Sequence, residues 1–156
     1  MSDDDAAFGP KTQFRRSATA ALTERLDTLM KHEVGTRAGD DPEELHDMRV
    51  ASRRLRAALD AFGVCYGGRK FKQIERQTQE LTGALGDVRD RDVLLARMAA
   101  YRETVQPDET PAIDRFMAGV RRERETHRAT MLRALDDLDD SRYAKRFRAA
   151  VARPRK

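Results

Sequence analysis

The stretch His46-Asp47-Met48-Arg49-Val50-Ala51-Ser52-Arg53-Arg54-Leu55-Arg56 concentrates groups that bind anions. At about 100° per residue on a helix, His46, Arg49, Arg53 and Arg56 fall within an arc of about 80°, while Arg54 lies off it. Met48, Leu55, Leu59 and Phe62 cluster on another side and are expected to face the core. Cations stacked at i, i+3, i+4 and i+7 repel one another, and a helix built only for stability would intersperse acids among them. Asp47 is the one carboxylate in the stretch, and it points elsewhere. A guanidinium also offers the forked donor geometry that suits phosphate oxygens, and a protonated His46 could donate from both ring nitrogens. On spacing alone two readings stay open: a phosphate-binding strip, or a face that is solvated or paired with acids from neighbouring helices.

A second stretch, Leu85-Gly86-Asp87-Val88-Arg89-Asp90-Arg91-Asp92-Val93, alternates charge. Asp87 with Arg91, and Arg89 with Asp92, stand at distances that allow local helical pairs. In a functional reading Arg89 joins the basic strip, and Asp90 and Asp92 orient arginines of the neighbouring helix. A metal site is disfavoured because no compact His and Cys cluster accompanies these acids.

The elements that must hold these groups read as helices throughout. Residues 1–10 form an acidic tail expected to be disordered, ending at Gly9-Pro10. Phe14, Ala18, Ala21, Leu22, Leu26, Leu29 and Met30 keep helical spacing over about 11–34, and Gly35 to Asp41 reads as a turn. Asp41-Pro42-Glu43-Glu44 is a strong helix start: a capping carboxylate, proline in the first turn, and acids at the positive end of the dipole. That helix is expected to reach Tyr66 and stop at Gly67-Gly68. Phe71, Ile74, Leu81, Leu85 and Val88 continue a stripe in which Gly83 and Gly86 could kink or split the helix. Helix resumes through Val93 to Met98, ending near Thr104. After a loop at 106–111, Ile113 to Leu138 predict a long polar helix, and a short last helix starts at Ser141. The seven Lys and Arg between Arg142 and Lys156 read mainly as a solvated, partly disordered end. Met48, Met98, Met117, Met131 and Cys65 are assigned to core filling, and His32 and His127 to surface or helix-end positions. Lys72 and Arg76, one turn apart, are candidates for the rim of the basic surface.

The composition agrees. Of 156 residues, 37% are charged and 39% hydrophobic, with 6% aromatic and no Trp, a mix that suits exposed helices better than sheets. One cysteine excludes an internal disulfide framework. No apolar run approaches the roughly 18 residues of a membrane span, and the acidic start fits no secretory signal, so a cytoplasmic location without membrane association is expected. Net charge is +4 with a pI near 9.5, which favours polyanionic partners without choosing among them.

The two motifs, with Asp41-Pro42-Glu43 before the first, resemble the CHAD domain, the conserved histidine α-helical domain. Leu135 to Phe147, including Ser141-Arg142-Tyr143, is similar to the weaker end of that family's first half. The resemblance covers about 11–150, flanked by the acidic tail and a basic tail at 151–156. It implies an all-α fold, an antiparallel bundle of long amphipathic helices like the first half of a CHAD domain. It also implies binding of inorganic polyphosphate by basic side chains lining a groove or pore. By matching positions, His46, Arg49, Arg53, Arg54 and Arg56 form the basic motif and Arg89 is the arginine of the second. Some members adjoin a triphosphate tunnel enzyme domain, which this sequence does not show. The family usually has two related halves, and no second copy of the His/Arg motif follows Arg89. A half-length member is expected, and a homodimer setting two ridges face to face would restore the groove. The function expected is thus a non-catalytic polyphosphate-binding module without cofactor or metal, in the cytoplasm or at polyphosphate granules. The alternatives are a nucleic-acid-binding helical protein, or an accessory to a metal-dependent phosphoanhydride hydrolase with Asp90 and Asp92 as its candidate ligands. Against nucleic acid, the ridge lacks interleaved aromatics for base stacking.

Overall fold

A computed structural model of the chain describes residues 9–153. Six α-helices follow one another: α1 (Pro10–Met30), α2 (Glu33–Ala38), α3 (Pro42–Phe62), α4 (Gly68–Arg102), α5 (Thr110–Asp140) and α6 (Tyr143–Val151), with a 3-10 turn at Gly63–Cys65 between α3 and α4. No strand occurs among the described residues. The fold is all-α.

Short connections force α3 against α4 and α4 against α5 as antiparallel neighbours. The core forms where their apolar stripes meet that of α1: Leu22, Leu26 and Leu29 from α1, Met48, Leu55 and Leu59 from α3, and Ile74, Leu81, Leu85 and Val88 from α4. Met131 and Leu135 of α5 and Tyr143, Phe147 and Val151 of α6 close it. At about 1.5 Å per residue the 35-residue α4 spans about 52 Å. Its last contribution to the main core is Val88; beyond it α4 lies along the start of α5, whose Ile113, Met117 and Val120 are buried outside that core.

Several boundaries differ from expectation. The segment 33–38, read as the end of one helix and the start of a turn, is a helix of its own. Arg37 holds it by ion pairs to Glu33 (2.9 Å) and to Asp136 and Asp139 of α5 (2.6 and 2.8 Å). Arg128 donates to the Arg37 carbonyl at 2.7 Å, satisfying an otherwise free helix-end acceptor. Burial works against the Arg37 charge, but the hydrogen bonds to Asp136 and Glu33 outweigh it and raise its pKa. α3 ends at Phe62 rather than Tyr66, and Gly67-Gly68 opens α4 instead of closing α3. Gly83 and Gly86 do not break α4, which runs unbroken because Leu81, Leu85 and Val88 are anchored around them.

The basic end from Arg142 is no solvated tail as far as Val151. Tyr143, Phe147 and Val151, at i, i+4 and i+8, are fully buried. Thr78 donates its hydroxyl hydrogen to the Ile74 carbonyl, so the Tyr143 phenol donates to Thr78 at 2.6 Å. Burial pushes the Tyr143 phenol up to about 12. Residues 1–8 and 154–156, which hold most of the expected tails, lie outside the described residues. Met48, Met117 and Met131 are buried as expected, whereas Met98 is only half-buried on the far part of α4.

Candidate functional site: an arginine ridge on α3 facing α4

Asp41 starts the helix that carries the ridge, its side chain accepting from the Glu43 amide at 2.9 Å. One side of α3 buries Leu45, Met48, Ala51, Ser52, Leu55 and Leu59. This fixes the rotation of the helix and therefore the direction of His46, Arg49, Arg53 and Arg56. Arg49 lies over α4 at Gly86: a Cβ built on that glycine would stand 3.7 Å from Arg49 Nε. From this register in an antiparallel pair, stepping back along α3 and forward along α4 brings His46 level with Arg89. Stepping the other way sets Arg53 at Thr82-Gly83 and Arg56 at Gln79. The structure therefore brings Arg89 to the end of the ridge that holds His46. Arg54 does not join them. It lies on the other flank of α3, lining a shallow cleft against α1 with Glu24, Arg25 and Thr28.

The ridge arginines share the absence of a counter-charge or a neutral acceptor, which among the other half-buried arginines of the described residues only Arg15 of α1 also shows. The half-buried Arg37, Arg91, Arg102 and Arg124 each hold a carboxylate, and Arg128 and Arg146 hold neutral oxygens. Arg49, Arg56 and Arg89 are half-buried too, yet among the described residues none has a carboxylate within 4.0 Å, nor do the exposed Arg53 and Arg54. Partial burial strips water from a guanidinium, and a missing partner leaves the cost uncompensated.

The acids of the second motif serve another helix. Asp92 accepts from Arg124 of α5, so it orients no arginine of α3. Arg91 reaches Glu123 of α5 at 3.6 Å and the Asp87 carbonyl at 3.3 Å, and Asp87 stands 3.7 Å from His127. The local pairs Asp87–Arg91 and Arg89–Asp92 do not form, because α5 offers these groups better-placed partners. Arg89 is thereby left to the ridge. Asp90 is exposed and has no ion pair among the described residues. No group of three or more His, Cys, Asp or Glu among the described residues is placed to hold a metal ion.

His46 is also more constrained than its chemistry allows. Its Nδ1 is buried without a protein hydrogen-bond partner, so the expectation of two outward donors narrows to Nε2. His32, by contrast, has a partner that spacing did not reveal: its Nδ1 donates to Glu44 at 2.8 Å, tying α2 to the first turn of α3.

An all-helical domain with an uncompensated arginine ridge on its third helix is the class these features define. The chain belongs to the CHAD domain family, whose family model matches residues 20–156. It matches no curated protein. Among the described residues, no helix is long and apolar enough to cross a membrane.

Proposed function

We propose that this protein is a non-catalytic binding module for inorganic polyphosphate, held along α3 by His46, Arg49, Arg53 and Arg56 and at one end by Arg89. The observation that carries this reading is the set of half-buried arginines without carboxylates, in a molecule whose other half-buried arginines are mostly paired. Phosphate oxygens arriving as a chain would supply the missing acceptors, with His46 Nε2 as a further donor. Arg54, on the opposite flank, would meet the ligand only where it crosses α3. Membership of the CHAD family supports the same ligand class. A cytoplasmic location, or one at polyphosphate granules, follows from that ligand. Nucleic acid fits less well, since the exposed aromatics Phe14, Tyr101 and Phe116 lie on α1, the far part of α4 and α5, away from where bases would need to stack. Hydrolysis fits less well because Asp92 is committed to Arg124. Two ridges facing each other in a homodimer would enclose a chain on both sides, and a strict monomer that binds tightly would remove the need for one.

Calorimetric titration with polyphosphates at low and physiological salt tests the reading. The Arg49→Ala/Arg53→Ala/Arg56→Ala variant should lose about 100-fold or more in affinity, since hydrogen bonds to charged groups contribute about 1.5–3 kcal/mol each. Its melting temperature should hold or rise, because like charges at helical spacing are relieved. Equal binding by the variant would refute the site.

A further inference from the structure

We infer that the outer side of the α4–α5 extension is the contact face of a weak homodimer, covered by the same face of a second copy of this chain running antiparallel to it. At about 100° per residue, Leu94, Met98 and Tyr101 share an arc of about 60° on α4, and Ala112, Phe116 and Gly119 share an arc of about 60° on α5. Both stripes lie on one side of the extension, the side marked by Arg91 and Glu123, which meet at 3.6 Å between the helices. Leu94, Tyr101 and Phe116 are 37%, 55% and 49% exposed, and Met98 is half-buried. The pattern along α4 sets this face apart from a scatter of surface apolar groups. Arg69, Lys72, Arg76, Glu80, Asp87 and Asp90 occupy an arc of about 80° that takes in the direction of the Leu94 stripe. The face is therefore charged along the main body and turns apolar only beyond Val88, where the main core ends. Single exposed apolar residues are ordinary, but a contiguous patch on an otherwise charged face marks an interaction site.

Self-complementarity selects a second copy as the occupant. Arg91 stands beside Glu123 and Arg102 beside Asp114. In that register the point midway between Leu94 and Tyr101 on α4 is level with the point midway between Phe116 and Gly119 on α5. One two-fold axis through both points, perpendicular to the helices, sets Leu94 against Tyr101 of the partner subunit and Phe116 against Gly119 of the partner subunit. Gly119 suits that role and no other in its own fold. A Cβ there would meet only the far end of Arg122, at 3.8 Å, and glycine inside a helix is otherwise a cost. Its missing side chain leaves a hollow for a phenyl ring and lets two α5 helices approach closely. At 1.5 Å per residue the stretch from Val88 to Arg102 is about 22 Å long. Two such faces, each two helices wide, would bury roughly 1,000 Å² in total, near the lower bound of specific interfaces. The dimer is accordingly expected to form and dissociate in the micromolar range. Leu94, Met98 and Tyr101 stand about 120–180° round α4 from Arg89, so both ridges stay open in this dimer, unlike in one whose ridges face each other.

Sedimentation velocity on the full chain over a range of concentrations, with no polyanion present, should show a reversible monomer–dimer equilibrium. Gly119→Leu fills the hollow without disturbing the chain's own packing. It should weaken dimerisation about tenfold or more, as should Phe116→Ala, which removes the aromatic anchor. The melting temperature of dilute, monomeric Gly119→Leu should hold or rise, which separates a lost contact from a lost fold. Arg49→Ala/Arg53→Ala/Arg56→Ala should dimerise as the parent does. For the register, copies carrying Leu94→Cys mixed with copies carrying Tyr101→Cys should cross-link under mild oxidation faster than either does alone, with the buried Cys65 unreacted. A parent that stays monomeric at high micromolar concentration would overturn the proposal, as would a dimer indifferent to both Gly119→Leu and Phe116→Ala. Dimerisation lost only in the ridge variant would move the contact to the ridges and overturn it too. Faster cross-linking between like copies would rule out the antiparallel register.

Discussion

Glu75 shows how single charges tune the groove. Its carboxyl is pushed above its ordinary 4.5, first by burial and then by Asp60 across the α3–α4 interface, against the pull of Lys72. A carboxyl that binds its proton more tightly in the folded state than in the unfolded one makes stability fall as pH rises between the two pKa values. Glu75→Gln removes that loss. Its melting temperature should exceed that of the parent at pH 7 and converge with it below the unfolded-state value, a comparison that thermal melts across this range can make. The same substitution deletes a negative charge on the α3 side of α4, so polyphosphate affinity should rise as well. A variant no more stable than the parent at pH 7 would show that Glu75 ionises freely. The unpaired arginines act in the opposite sense: each is a cost in the ligand-free protein that an anion would relieve.

At the scale of elements, two glycines predict opposite outcomes. Gly39 closes α2 with a φ of 76°, and an added Cβ would press on the Arg128 guanidinium at 2.8 Å. Gly39→Ala should therefore destabilise by about 1–2 kcal/mol, from the left-handed backbone alone. Gly83→Ala, in open space on a continuous helix, should stabilise by about 0.5–1 kcal/mol; urea unfolding of both variants checks the pair. These positions also show what the sequence could disclose. The start of α3 was legible because Asp41, Pro42 and the two glutamates act locally. α2 was not, since Gly35 within it and Gly39 just after it look like a turn and its restraints come from Asp136, Asp139 and Arg128, about a hundred residues away. The short last helix was legible, but its burial was obscured by its arginines, although Tyr143, Phe147 and Val151 keep a helical apolar stripe. The ridge itself could be read from spacing. Which arginines would find a carboxylate could not, because Asp92 and Arg91 are claimed by α5, and nothing near them in the chain announces that.

At the scale of the whole molecule, one body of packed helices gives way to a two-helix extension. α4 adds its last side chain to the main core at Val88, and its far part lies along the start of α5. The extension is laced by Arg102 to Asp114, with distances of 2.6 and 3.0 Å, and by Arg124 to Asp92. The Arg102–Asp114 pair is exposed, and the Asp114 carboxyl is held below its ordinary value by the Arg102 hydrogen bonds. Local opening free energies follow buried apolar contact more than ion pairs of this kind. Amide hydrogen exchange should thus divide a single unbroken helix into two regimes: slow from about Phe71 to Val88, where exchange needs global unfolding, and faster towards Arg102. Uniform protection along α4 would show instead that the extension is as stable as the core. Arg89 stands at that border. A ligand gripping it would clamp the slow regime to the fast one, and should slow amide exchange in residues it never touches.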